Sequence, residues 1–292
     1  MADVVFETVA IVGVGLIGGS LGMAAKRRGI ARRVIGIGRV EQKLMRAKIL
    51  GAIDEYSLDV ENGAAEADLI IICTPVQLVA PTFERMVNSM KPGAIITDAG
   101  STKREIVAAC DAITPDGCFF VGGHPMAGSE QTGVNAARAD LFMGATYVLT
   151  PSANTNLGAL GRLTEFAGGL GAHVEILSPD EHDEAVAIIS HLPHAIAAAL
   201  MRLAEESHRR TGKTFSLAAG SFRDLTRISN SSPTLWRDIC MTNANTLSEA
   251  ISGIQDVLDE LKCALQSNDA EAIQRFFEQS RQIRETYLRI SQ

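Results

Sequence analysis

Val9-Ala-Ile-Val-Gly13-Val-Gly15-Leu-Ile-Gly18-Gly-Ser20 is an apolar run that passes into a glycine-rich loop and then into residues of helical character. The G-x-G-x-x-G spacing carries a mechanism when it follows a strand and opens a helix. Gly13 permits the tight turn, Gly15 lets a backbone approach a pyrophosphate, and Gly18 lets helix and strand pack closely. Free N–H groups at the helix start, those of Leu16 and Ile17 among them, then receive the anion. The placement predicts a dinucleotide site. A tight turn and nothing more is the plainer alternative.

Working outward, short apolar runs at 9–12, 34–37, 69–73, 94–97, 119–121, 146–149 and 174–177 alternate with helical stretches such as 79–90, the pattern of β-α-β units in a parallel sheet. After Ser178-Pro179 the strand signals stop, and 180–210, 233–267 and 269–291 space apolar residues three and four apart. Ser178 with Glu181 reads as a capping box, and Pro179 suits a first helical turn. The expected fold class is an α/β Rossmann dinucleotide-binding domain at 1–178, followed by an all-α domain at 179–292.

Composition narrows the function. The chain has 292 residues, 46% apolar and 21% charged, enough for two domains with real cores. A net charge of −7 disfavours nucleic acid, which needs a basic stripe to displace counterions. Cys73, Cys110, Cys118, Cys240 and Cys263 form an odd set without C-x-x-C spacing, read as reduced, buried thiols of a cytoplasmic protein. Two uncharged runs, 8–25 and 185–201, are not membrane spans on this reading: the first holds five glycines, the second His191, Pro193 and His194. No signal peptide is expected ahead of Asp3 and Glu7.

The cofactor and the chemistry come from loops at strand ends. A site for NAD usually offers an acidic residue about 20 residues after the glycine loop, for the ribose 2′-hydroxyl. Here Gly38 takes that place and Arg39 follows, which favours NADP, with Glu41 close enough to keep NAD open. Cys73-Thr74-Pro75, Asp98 to Lys103, and Val121 to Glu130 with His124 among them fall at successive strand ends, the edge where open α/β sheets bind ligands. Asp183, His191 and His194 fall on the first helix of the second domain, and Gly220, Arg227 and Trp236 follow.

In combination and in this order, His-Pro-Met-Ala-Gly-Ser-Glu at 124–130, Ser-His-Leu-Pro-His at 190–194 and Asp-Leu-Thr-Arg at 224–227 are highly specific. With the stretches 12–20, 71–75 and 98–103, the chain resembles the prephenate/arogenate dehydrogenase family of tyrosine biosynthesis over nearly its whole length. The resemblance implies an NAD(P)-dependent oxidative decarboxylation of a small dicarboxylate, prephenate, with arogenate as the alternative substrate. It implies His124 as base, Ser101 bonding and orienting its ring, Arg227 as carboxylate clamp, and His194 as a second histidine on the substrate. Glu130, Asp183, Gly220 and Trp236 match positions that line or shape the pocket, and Thr74 and Pro75 join Gly13, Gly15, Leu16, Ile17, Gly18 and Arg39 around the cofactor. It also implies a homodimer through the helical domain, consistent with the small residues at 195–199; the ACT domain that some relatives append after the helical one is not expected in this chain.

Each role has a plainer reading. Ser101 is equally placed to cap the helix after Lys103, and Arg227 to pair with Asp224. His182, His191, His194 and Asp183 suggest a metal cluster, but nine residues put His182 and His191 on opposite sides of a regular helix, so no metal is expected. A neutral imidazole titrating near 6.5 suits His124 as a base. Other oxidoreductases of this layout use a helical-domain lysine, and neither Lys213 nor Lys262 sits in such a motif. A dinucleotide-sensing regulator is the non-enzymatic alternative.

Overall fold

The computed structural model describes residues 4–129 and 131–290. Among them, six strands form a parallel sheet: β1 (Phe6–Val12), β2 (Ala31–Ile37), β3 (Glu55–Ser57), β4 (Leu69–Ile72), β5 (Ile95–Asp98) and β6 (Phe119–Phe120), in the order β3-β2-β1-β4-β5-β6. The central strands carry unbroken apolar runs, 9–12 in β1 and 69–72 in β4, as strands covered on both faces do. Alternate residues serve opposite cores: Val9, Ile11, Leu69 and Ile71 enter one cluster, and Ala10, Val12, Ile70 and Ile72 the other. Helices α1 (Leu16–Arg28), α2 (Glu41–Ile49) and α6 (Leu157–Gly169) close the first face; α3 (Val60–Ala64), α4 (Val79–Met86) and α5 (Arg104–Ile113) close the second.

The single parallel sheet expected from 9 to 177 is in fact two sheets. After β6 the chain leaves the first sheet and builds a second from β7 (Gly122–Pro125), β8 (Thr146–Thr150) and β9 (His173–Ile176), with β7 antiparallel to β8. His124 therefore lies on a strand, opposite Val148, rather than in a loop past one. The glycines before it are what allow this. A Cβ on Gly122 would run into Thr150 Oγ1, and one on Gly123 would sit 2.7 Å from the Asp98 carbonyl.

Strands give way to helices at Ser178, and the capping box is present: Ser178 Oγ accepts the Glu181 N–H, and Glu181 accepts the Ser178 N–H in return. Helix α7 (Pro179–Val186) runs through a π-helical segment, Ala187–His191, into α8 (Leu192–Thr211). Then come α9 (Gly220–Thr226) and α10 (Pro233–Thr242). By packing, the chain falls into units 1–243 and 244–292, so α7 to α10 share a unit with both sheets although the architecture changes at 178. Asp183 explains the attachment: its carboxylate accepts the N–H groups of Lys103 at 2.7 Å and Arg104 at 2.9 Å, capping α5 from a distant helix. The second unit holds α11 (Ala244–Gln266) and α12 (Ala270–Ile290).

Pro179–Thr211 is long and apolar enough to cross a bilayer by length and composition. Its first turns are instead fixed to α5 through Asp183, as in a helix packed on a globular domain. Of the five cysteines, all free, Cys110 and Cys118 are buried and Cys73 and Cys240 half-buried; Cys263 is exposed, contrary to the expectation of burial.

Candidate active site

β1 has β2 on one side and β4 on the other, so the chain reverses its winding direction there and leaves a crevice at the strands' carboxyl ends. A cavity of about 750 Å³ opens at this point, lined by Gly13, Gly15, Gly38, Arg39, Thr74 and Pro75 among others. Gly13 has φ +93°, and a Cβ there would lie 2.7 Å from the Cys73 carbonyl oxygen. A Cβ on Gly18 would collide with the Gly13 carbonyl, whereas Gly15 faces open space. The first bond of α1 runs from the Gly19 N–H to the Gly15 carbonyl at 2.9 Å, leaving the N–H groups of Leu16, Ile17 and Gly18 without intrahelical acceptors. Thr74 Oγ1 is buried without a hydrogen-bond partner among the described residues. A tight turn, a bare backbone approach and an anion-ready helix start fit a dinucleotide pyrophosphate.

Four cations, Arg39, Lys43, Arg46 and Arg85, are among the residues that line the cavity. Glu41, the acidic side chain nearest Arg39 in sequence, is engaged by the Tyr56 hydroxyl at 2.9 Å.

His124 does not line this cavity. It stands at the carboxyl edge beyond β5, whose last residue, Asp98, is wholly buried and organises the surroundings. Asp98 accepts the Gly100 N–H at 2.8 Å and the Gly123 N–H at 3.1 Å, and forms an ion pair with the equally buried Lys103 ammonium. This fixes the 99–102 loop and the base of β7 as one piece. Thr102 adds a bond to Thr242 on α10 at 3.0 Å.

The partner of the His124 ring is a correction to the sequence reading. Among the described residues it is His182, not Ser101, whose Nε2 lies 2.8 Å from His124 Nδ1. His182 is fully buried, and its Nδ1 lies 2.8 Å from Asp183 Oδ1. Ser101 is half-buried in the 99–102 loop; it does not cap α5 either, a task Asp183 performs. Burial, then the neighbouring His182, Lys103 and His191, hold the His124 imidazole neutral well below the usual histidine range, rather than near 6.5.

A second group of rings adjoins the first. His191 is buried, lies 3.4 Å from the Asn243 side-chain amide, and meets Trp236 edge-on. The same amide donates to the Asp183 carbonyl at 2.8 Å. Trp236 stacks on His194 with ring centres 3.8 Å apart, and its buried indole N–H has no acceptor among the described residues. His194 Nδ1 donates to the Ser190 carbonyl at 2.9 Å, so the neutral ring presents Nε2 as an acceptor. The Arg227 guanidinium, exposed just past α9, acts on the His194 ring electrostatically and lowers its proton affinity after burial does. Gly220 opens α9 and is exposed. Glu130 lies outside the described residues.

Sequence reasoning missed His182. The nine-residue argument assumed a regular helix, but the π segment 187–191 rotates the chain less per residue, and both His182 and His191 act on His124. The His182-Asp183 doublet just inside a capped helix start was the available signal.

A dinucleotide crevice at the sheet's switch point, beside an imidazole held neutral, defines a nicotinamide-dependent dehydrogenase. Residues 21–190 match the protein family described as "Prephenate dehydrogenase, nucleotide-binding domain", and residues 178–279 the one described as "Prephenate dehydrogenase, dimerization domain". The chain belongs to the prephenate/arogenate dehydrogenase family and is an oxidoreductase. It is 37% identical to the prephenate dehydrogenase of Bacillus subtilis over 96% of this chain and 76% of that one. Among solved structures, it is similar to the prephenate dehydrogenase of Aquifex aeolicus in complex with hydroxyphenyl propionate and NAD+, with a TM-score of 0.90, 30% identity, and coverage of 98% of this chain and 99% of that one. Arogenate dehydrogenase of Synechocystis gives 0.84 and 32%, covering 96% and 99%.

Proposed function

We propose that this chain catalyses the oxidative decarboxylation of prephenate to 4-hydroxyphenylpyruvate, on the route to tyrosine, with NADP favoured over NAD. The observation that carries the reading is the His124 ring, neutral and braced by a buried histidine, at the sheet edge beside the dinucleotide crevice. Nicotinamide bound there supplies a hydride acceptor. His124 takes the proton of the ring hydroxyl as hydride leaves the same carbon, and returns it to the phenolic oxygen once carbon dioxide has left and the ring is aromatic. Arg227, the Trp236 indole N–H and His194 Nε2 would hold the substrate's polar groups, with Ser101 and Gly220 as further pocket residues.

NADP is favoured by Gly38 in place of an acidic residue, by the cations that line the cavity, and by the engagement of Glu41 with Tyr56. Arogenate, carrying an amino group where prephenate has a keto group, is the alternative: His194 Nε2 is an acceptor suited to an ammonium. Two features support a homodimer assembled through 179–292. Within the second unit, Val257, Leu258, Leu265, Phe277 and Ile283 are exposed, apolar side chains that a second copy of the chain would cover. The residue 178–279 family match is the other. Free thiols throughout suit the cytoplasm.

The test is a spectrophotometric assay of each substrate with each cofactor, with His124→Asn alongside. The expected result is turnover of prephenate with NADP, and a kcat lower by about 10²–10⁴ in the variant. No reduction of either cofactor with either substrate would favour a nucleotide-sensing role instead.

A further inference from the structure

Three side chains stand in line from the interior to the reacting edge: Asp183, His182 and His124, with 2.8 Å between each facing pair of atoms. Asp183 is an acceptor only, since it already receives two backbone N–H groups, and these bonds and His182 keep it ionised. The bond to it therefore takes a hydrogen from His182 Nδ1. Neutral His182 is then left with a lone pair on Nε2, aimed at His124 Nδ1, so the hydrogen between the two rings must belong to His124. With its hydrogen on Nδ1, a neutral His124 carries its lone pair on Nε2, the nitrogen not spent on the interior.

We propose that His182 is a positioning residue that fixes His124 in the tautomer able to accept a proton, relaying the polarity of Asp183 through one buried ring. This rests on the assignment of His124 as the base. The device depends on both rings being neutral. A proton on His182 Nε2 would reverse the bond and move the His124 hydrogen to Nε2, where it blocks the base. Among the described residues, the charged and titratable groups facing His124 are His182 from α7, Lys103 from the start of α5 in its ion pair with Asp98, and His191 from the π segment. Lys103 and His191 repel a proton on His124 through space, whereas His182 is hydrogen-bonded to Nδ1 itself.

Nitrogen-15 NMR of the full-length protein labelled in histidine, at pH 8, reads the tautomer directly, with the His124 signals assigned by their loss in His124→Asn. The expected spectrum has a protonated, pyrrole-type Nδ1 and a bare, pyridine-type Nε2; the reverse would overturn the proposal whatever the enzyme turns over. In His182→Leu the His124 signals should shift toward the other tautomer. Its kcat should fall about 10–100-fold with KM little changed, as when an outer partner that orients a reacting group is lost. His182→Gln, whose carbonyl accepts the Nδ1 hydrogen, should recover most of the rate. An unchanged kcat in His182→Leu, or no recovery in His182→Gln, would reduce His182 to a packing residue. If the wild-type protein turns over neither prephenate nor arogenate while the NMR shows the expected tautomer, it is the functional reading that fails, not the relay. Should His182→Leu not fold, the wild-type spectrum and His182→Gln decide alone.

Discussion

On the proposed reading, cofactor choice turns on one position, Arg39. Its neighbour Gly38 removes the carboxylate that would repel a 2′-phosphate, and Arg39 lines the cavity where that phosphate would lie. A charge-assisted hydrogen bond contributes about 1.5–3 kcal/mol, a factor of about ten to a hundred. Arg39→Ala should raise the KM for NADP by about that factor and leave the KM for NAD nearly unchanged. Equal KM changes for the two cofactors would mean that Arg39 does not read the phosphate. At this scale much was legible from the chain itself. Gly13 and Gly18 were legible because their reasons are local: a turn and a close contact. His182 was not, because the atom it serves is 58 residues away and its value depends on the rotamer of a buried ring.

Among the elements, α1 depends most on small residues. A Cβ on Gly18 meets the Gly13 carbonyl, and one on Gly22 meets the carbonyl of Ala52. Both neighbours are backbone and cannot step aside as a side-chain tip would. Gly22→Ala, a turn away from the nucleotide loop, should therefore destabilise the fold by about 1–3 kcal/mol, read as a shift of the denaturant midpoint at constant slope, while cofactor affinity in the folded protein stays within about twofold. An unshifted midpoint would show that α1 has slack against Ala52. The sequence located α1 and the capped start of α7 well, because a glycine loop and a Ser-Pro-x-Glu signal act within a few residues. It did not reveal that β6 has only two residues and that β7 turns antiparallel. Strand pairing is decided by a partner, here Thr146–Thr150, and Gly-Gly-His-Pro has little propensity of its own.

At the scale of the whole molecule, His124 and His191 are both held below their usual proton affinity, and this couples stability to pH. Burial pulls His191 down from the usual 6.5 to about 4, and moves His124 in the same direction. Between those values the unfolded chain takes up protons on these rings that the folded chain refuses, so stability is full above 6.5 and falls as pH drops toward 4. Each pH unit in that window costs up to about 1.4 kcal/mol per ring. The Asp183 carboxylate, held below the usual range, adds a loss of the same sign at lower pH. Calorimetry from pH 7.5 to 4.5 should show Tm falling steadily below 6.5. A flat Tm over that range would mean that both rings are protonated in the folded state. Light scattering at micromolar concentration checks the assembly, for which twice the chain mass is expected and a stable monomer would contradict the dimer.

The amino-acid sequence alone determined the nucleotide crevice, the strand-to-helix transition at Ser178 and the candidate base, because each is written in residues within a few positions of one another. Tertiary structure alone decided that α7 to α10 pack with the sheets, and that the candidate base leans on a histidine from another element. The partners of Asp183 and His182, the Lys103 and Arg104 amides and the His124 ring, lie 80, 79 and 58 residues away in the chain; no local pattern specifies which distant groups will meet them.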